Sequence, residues 1–465
     1  MRVILLTICF SVSLLTSAQN DSLSIISLSE YLGYVKSFHP IVKQANLIIN
    51  ESEAKLMKAR GAFDPKLEAD YDRKKFKGIE YYDKLNAAFK IPTWYGIEFK
   101  GNFEQNEGVY LSSEATVPEG GLYSAGVSLS LAQGFLANKR MTTLKQSKLF
   151  VEQAKADRQL LVNSILYEAT LTYFNWLKTY NEKRVYEDFL ENAQMRFEGI
   201  KKSYEEGEMP AIDTLEALIA LNDRKLNLEK SNIKYIKASL ELSNFLWLND
   251  NTPIEIEDNT IPDINTFETI DETLNTSLLN IEDLDIENHP KLRSLDNKLQ
   301  SLTLEKRLQL NNLLPKIDLQ YNFLSETPEV VQSFSTSAYK SGLYISFPLF
   351  LRKERADLKL AKLKLMDTEF EIMSTKVTLR NKIDALTQEL SSYVLQNNFT
   401  NTIVTDYNTM LDAEERKFFL GESSLFLVNS RESKLIDAKL KAIELEYGFF
   451  KTKADLFNVL APPIE

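Results

Sequence analysis

Two histidines and one cysteine are all that this 465-residue chain offers for imidazole or thiol chemistry. His39 and His289 each precede a proline, and a proton-shuttling histidine would need a different neighbourhood from one repeat position to the next. Proline suits the first helical turn, where its missing N–H goes unmissed, so both His-Pro pairs are expected to start helices. Cys9 lies in the N-terminal apolar run, which leaves no thiolate metal site or disulfide beyond it. No phosphate-cradling glycine loop opens a helix, so the chain is not expected to hydrolyse nucleotide. Asp213 and Glu216 share one helix face. Carboxylates so placed attract cations, although acids also favour a helix start for its dipole. No catalytic, metal or cofactor set emerges, and the chain reads as a non-enzyme.

The elements that carry these residues occur twice. His39-Pro40 recurs as His289-Pro290, and Pro65-Lys66-Leu67-Glu68-Ala69-Asp70-Tyr71-Asp72 recurs as Pro315-Lys316-Ile317-Asp318-Leu319-Gln320-Tyr321-Asn322, 250 positions on. Gly126-Val127-Ser128-Leu129-Ser130 matches Gly342-Leu343-Tyr344-Ile345-Ser346 at an offset of 216. Gly207-Glu208 matches Gly421-Glu422, and Asn244 matches Asn458, both at 214. A single offset change of 34 residues implies an ancestral duplication with one insertion in the first copy. The expected organisation is a first repeat over 19–248, with the insertion at about 73–120, and a second over 289–465. Residues 249–288 join them.

Met1-Arg2, the uncharged run Val3 to Leu15 and Thr16-Ser17-Ala18 describe a signal peptide over 1–18. Cys9 would leave with it, so no lipidation is expected. The formal charge of -11 argues against a nucleic-acid partner. Leu160 to Leu177 has a spanning length but contains Glu168, Asn163 and Asn175, and is expected to be a buried wall helix.

Each repeat changes period. Ile41 to Arg60 has helical spacing. Beyond Pro65 the period drops to two: Leu67, Ala69 and Tyr71 alternate with acids, as do Ile317, Leu319 and Tyr321 with polar residues. Such strands have one lipid-suited and one water-suited face, and a soluble sheet gives the same pattern. Tyr82 to Ile91 and Trp94 to Gln105 either add a hairpin or form an elongated loop. Then Ala137 to Glu206 and Arg352 to Leu420 run without proline, each about 70 residues and roughly 100 Å as helix. Ala211 to Leu246 and Leu425 to Leu460 follow as second long helices. Leu215, Ile219 and Leu226, like Leu435, Ala438 and Ala442, recur at coiled-coil steps. Strands and helices of such unequal length predict a barrel and a rod.

In this order of elements, with its His-Pro starts and its turns Tyr204-Glu205-Glu206-Gly207-Glu208 and Phe418-Phe419-Leu420-Gly421-Glu422, the chain resembles the TolC-like outer-membrane efflux family from about Leu28 to Leu460. The resemblance implies an α+β membrane protein: a homotrimeric transmembrane β-barrel in outer-membrane lipid, continued by an α-helical coiled-coil tunnel in the periplasm. It implies a passive exit duct fed by an inner-membrane pump of RND or ABC type through a periplasmic adaptor. Gly207, Glu208, Gly421 and Glu422 would form the tip turns that meet the adaptor. Where the family often carries entrance aspartates after the second glycine, this chain has Leu427 and Ser430, so Asp213 and Glu216 are the remaining candidates for an acidic ring. Two hairpins per protomer cannot close a barrel, whereas three protomers of four strands can. The 249–288 segment has 12 acids, Asp250 the first of them, and no lysine or arginine; it is expected either to pack round the tunnel or to be an acidic linker. A diffusion porin and a secreted structural coiled coil are the alternative readings.

Overall fold

The structure, a computed structural model, describes residues 24–257, 259–274, 286–328 and 336–463. The expected signal peptide lies outside them, as do 258 and 275–285 of the connector. The strands are β1 (Ser24–Ile26), β2 (Lys66–Phe76), β3 (Ile79–Pro92), β4 (Ile97–Glu107), β5 (Leu122–Ser130), β6 (Thr260–Pro262), β7 (Lys316–Ser325) and β8 (Tyr339–Ser346). The helices are α1 (Leu28–Phe38), α2 (Pro40–Arg60), α3 (Lys139–Glu205), α4 (Ala211–Ser243), α5 (Thr266–Thr273), α6 (Pro290–Asn311), α7 (Arg352–Phe419) and α8 (Leu425–Leu460). Two units result. One holds the chain up to Phe38, Ala169–Thr273 and Tyr393–Lys451; the other holds His39–Glu168, Leu274–Ser392 and the chain from Thr452.

Both His-Pro pairs start helices, and the histidine itself is the cap. His39 Nδ1 accepts the Ile41 N–H (3.3 Å) ahead of α2, and His289 Nδ1 accepts the Lys291 N–H (3.1 Å) ahead of α6. Each satisfies a donor that a helix start leaves open. α3 and α7 are unbroken over 67 and 68 residues. The expected wall helix is borne out as buried: Val162, Ile165, Leu166, Tyr173, Phe174, Trp176 and Leu177 lie inside, while Glu168 is exposed. No described helix is long and apolar enough to cross a membrane.

In the first unit the core is aromatic. Trp176, Tyr173 and Phe174 are fully buried, Phe174 stacks on Phe450 (centroids 4.9 Å), and Trp176 Nε1 donates to Ser239 Oγ (2.9 Å). The described connector up to Thr273 packs here. β6 pairs in parallel with β1, Tyr173 Oη donates to the Ile26 carbonyl (2.9 Å), and Phe267 of α5 stacks on Phe449 (5.1 Å). The residues at coiled-coil steps divide in this unit: Leu435 and Ala438 of α8 are buried within the chain. Leu215, Ile219 and Leu226 do not form a seam within the chain: they are 53–62 % exposed. α4 instead buries Ala217, Leu221, Arg224, Ser231, Ala238 and Leu242. The apolar stripe was correctly periodic, but the smaller residues allow the closer helix approach.

The second unit holds a six-stranded antiparallel sheet in the order β2-β3-β4-β5-β7-β8. Its helices pack a small core of Ile383, Leu386, Leu456, Val459 and Leu460, which the His289 Nε2–H joins by donating to the Val459 carbonyl (2.8 Å). The strands of 8 to 14 residues bracket the length that crosses a bilayer at a tilt, about 9–11 residues.

Candidate functional site

Two turns in the helical unit are built alike. At the end of α3, Gly207 takes φ +84°. Its N–H donates to the Tyr204 carbonyl (3.0 Å), and the Glu208 N–H donates to the Ser203 carbonyl (2.8 Å). At the end of α7, Gly421 takes φ +75°, its N–H reaches Phe418 (3.0 Å), and the Glu422 N–H reaches Lys417 (2.8 Å). This paired closure satisfies the last carbonyls of a helix and requires one left-handed residue. A Cβ at either glycine would meet nothing within 4 Å, so backbone conformation alone selects glycine. Glu208 and Glu422 are both exposed. Beneath the turns, Ile200, Ala217 and Leu425 form a buried cluster with Phe197, Met209 and Phe418.

The two acids predicted as an entrance pair have different surroundings. Asp213 is half-buried in the first turn of α4, its N–H bonded to the Pro210 carbonyl (3.1 Å). Glu216 accepts a hydrogen bond from Asn429 Nδ2 (3.2 Å) and is thereby tied to α8. Leu427 is 39 % exposed, and Ser430 is exposed as well.

A charged cluster that the sequence did not reveal lies nearby. Glu432 is 2 % exposed, yet it receives Arg196 Nη1 at 2.6 Å and Arg224 Nε at 3.2 Å. Arg196 also holds Glu415 (2.9 Å), and Arg224 donates to Ser433 Oγ (3.1 Å). One carboxylate thus links α3, α4, α7 and α8. Burial of such a charge is tolerated because two guanidinium groups satisfy it. Its members lie as many as 236 positions apart, and no short motif could have joined them. Among the described residues no group of histidines, cysteines and acids could hold a metal ion.

The sheet of the other unit has two chemically distinct faces. Leu67, Phe89, Gly101, Ala125, Phe323 and Tyr339 form one row across all six strands. The row on the opposite face is Lys66, Lys90, Lys100, Gly126, Asn322 and Lys340. Lys90 pairs with Glu68 (2.5 Å) and Lys100 with Glu98 (3.5 Å), which offsets like charges on neighbouring strands. Gly126 has no room for a side chain, because a Cβ would stand 2.1 Å from the Tyr321 carbonyl oxygen. Asp70 and Asp72 of β2 and Lys340 of β8 line one cavity of about 780 Å³, so the polar face is the concave one. The apolar face is open: Leu67 is 79 % exposed and Leu343 61 %. Polar inside and apolar outside is the arrangement of a barrel wall in lipid.

No described family matches the chain by sequence, and neither does any curated protein. Solved structures do match. The CmeC outer membrane channel of Campylobacter jejuni aligns with 93% of this chain and 85% of its own, at 14% identity and a TM-score of 0.64. CusC, described in connection with transmembrane channel formation, aligns over 93% and 91% at 12% identity and a TM-score of 0.67. The outer membrane protein VceC of Vibrio cholerae aligns over 94% and 97% at 13% identity and a TM-score of 0.66. The fold is that of TolC-like outer-membrane channels. This channel fold places both the sheet and the helix pairs of the chain within one known architecture, at identities that carry the fold alone.

Proposed function

We propose that the chain is the outer-membrane channel-tunnel of a tripartite efflux or secretion system. In this reading it is a homotrimer whose sheets close a barrel in the outer membrane and whose helices form a tunnel in the periplasm. Substrates would arrive from an inner-membrane pump of RND or ABC type through a periplasmic adaptor that meets Gly207, Glu208, Gly421 and Glu422. The observation that carries the reading is the two-faced sheet whose outermost strands, β2 and β8, each have one partner strand among the described residues. Open edges are not tolerated in lipid, so the sheet must be closed by further copies. The exposed stripe of α4 supports the same assembly. Ile219, Leu226, Ile233 and Leu240 follow one another at seven-residue steps and are 47–62 % exposed, as a helix facing a neighbouring subunit would be.

Native mass measurement in detergent tests this directly, followed by conductance in planar bilayers. A trimer that opens stable pores is expected. A folded, stable monomer without conductance would overturn the assignment.

A further inference from the structure

We infer that the β3–β4 hairpin is a full segment of the barrel wall, so that the assembled pore has eighteen strands where the repeated hairpins alone would give twelve. The inference rests on the reading above, that three copies of the six-stranded sheet close one barrel.

The hairpin lies inside the ladder rather than beyond it. In the second half of the chain β7 pairs directly with β8, but the corresponding β2 and β5 never meet, and β3 and β4 occupy the two positions between them. The 34-residue change of offset between the repeats matches this hairpin and its turns. Its length also suits a wall. β3 leaves β2 through the tight turn at Lys77-Gly78, both at positive φ, and returns to the opposite end of the sheet. There the turn after β3 is fixed to residues just after α2 and just before α3. Trp94 stacks on Phe63 (5.6 Å), and Asn138 Nδ2 donates to the Trp94 carbonyl (3.0 Å). An external loop would have no reason to come back to that end.

Register decides the matter further. A shift of one residue would exchange the two faces of a strand. The hairpin supplies Phe89 and Gly101 to the apolar row, and Lys90 and Lys100 to a lysine row that Lys66 and Lys340 continue outside it. Aromatic rings bracket its apolar stretch: Tyr81 contacts both Phe76 and Tyr110 at one end, and Trp94 and Tyr95 stand at the other. Rings at both ends of an apolar band are what the two lipid interfaces select. Barrel diameter grows roughly linearly with strand number, so the bore would be about half again as wide as that of a twelve-stranded wall.

The test is strand counting by electron cryomicroscopy of the full-length protein in lipid nanodiscs, joined to spin labels at Ala87→Cys and Lys84→Cys. These positions lie on opposite faces of β3. Eighteen strands are expected, with the label at 87 relaxed by oxygen from the lipid and the label at 84 relaxed by a water-soluble nickel chelate. A trimer with twelve wall strands and both labels open to the nickel chelate overturns the inference and leaves the channel reading intact. A protein that forms no closed barrel overturns both. The unlabelled strand count stands even where a labelled variant does not assemble.

Discussion

His289 is held by two hydrogen bonds of opposite sense. Nδ1 accepts from Lys291 N–H while Nε2 faces the Val459 carbonyl, so only the neutral ring with its proton on Nε2 serves both. Burial lowers the pKa of His289 and of His39 below the ordinary 6.5. The unfolded chain therefore takes up protons first on acidification. The stability from these caps is fully present above about pH 6.5 and is lost as pH falls through the lowered values. Half-buried Glu446, whose pKa desolvation raises, acts with the opposite sign, so the comparison must be between variants. Between pH 7 and 5 the melting temperature of the parent is expected to drop more than that of a His39→Asn/His289→Asn double variant, which keeps a capping side chain; equal slopes would remove the histidines from the account. Asp213 supplies a second residue-scale prediction. If it lines the entrance three times over, Asp213→Asn reduces cation selectivity in planar bilayers; an unchanged reversal potential would leave it a helix-start residue. Both His-Pro starts were legible because proline and a short acceptor have few other uses together. Glu432 was not legible, because a buried carboxylate is recognised only by partners that folding brings to it.

At the scale of elements, the strand alternation and the long helices could be read from period alone, and the glycine turns from their left-handed requirement. Which face of α4 turns inward could not. Leu215, Ile219 and Leu226 outrank Ala217, Ser231 and Ala238 in hydrophobicity, yet the small residues are the buried ones, since close helix packing rewards low volume. The same sparing use of volume recurs at Gly448, where a Cβ would stand 2.7 Å from the Tyr393 ring. The four helices are then linked through Glu432. Glu432→Leu removes the buried carboxylate that Arg196 and Arg224 share and leaves them only the more exposed Glu415 and Asp223; breaking a buried pair costs up to about 3–5 kcal/mol. A lower melting temperature is expected, with recovery when Arg196→Met and Arg224→Met are added. A destabilised triple variant would show that the arginines contribute through packing rather than through charge. In the turns, Gly207→Val or Gly421→Val forces a β-branched residue into the left-handed region at a cost of about 1–2 kcal/mol or more. Export should fall while trimers persist, and normal export with normal adaptor crosslinking would remove these turns from the contact.

For the whole molecule the central physical fact is incompleteness. Among the described residues a single chain has two sheet edges without a partner strand, an apolar sheet face that water does not suit, and half-exposed apolar stripes on its helices. On α7, Leu363, Met366, Phe370, Met373 and Val377 are 48–61 % exposed, which parallels the stripe on α4. One closed assembly of copies in a membrane satisfies all three conditions together, and neither a diffusion porin nor a secreted coiled coil accounts for the strands and the helices at once. The helical stripes can be tested apart from the strands. Leu226→Glu with Ile233→Glu places two charges on the α4 stripe, at side chains that are 53 % and 47 % exposed in the single chain. Helix content by circular dichroism should stay at the parent level while native mass shifts from trimer to smaller species, because each assembled copy would have to bury both carboxylates without partners. Trimers of parental stability in that variant would mean that the stripe faces solvent in the assembled channel, and that the closed sheet alone holds the copies together.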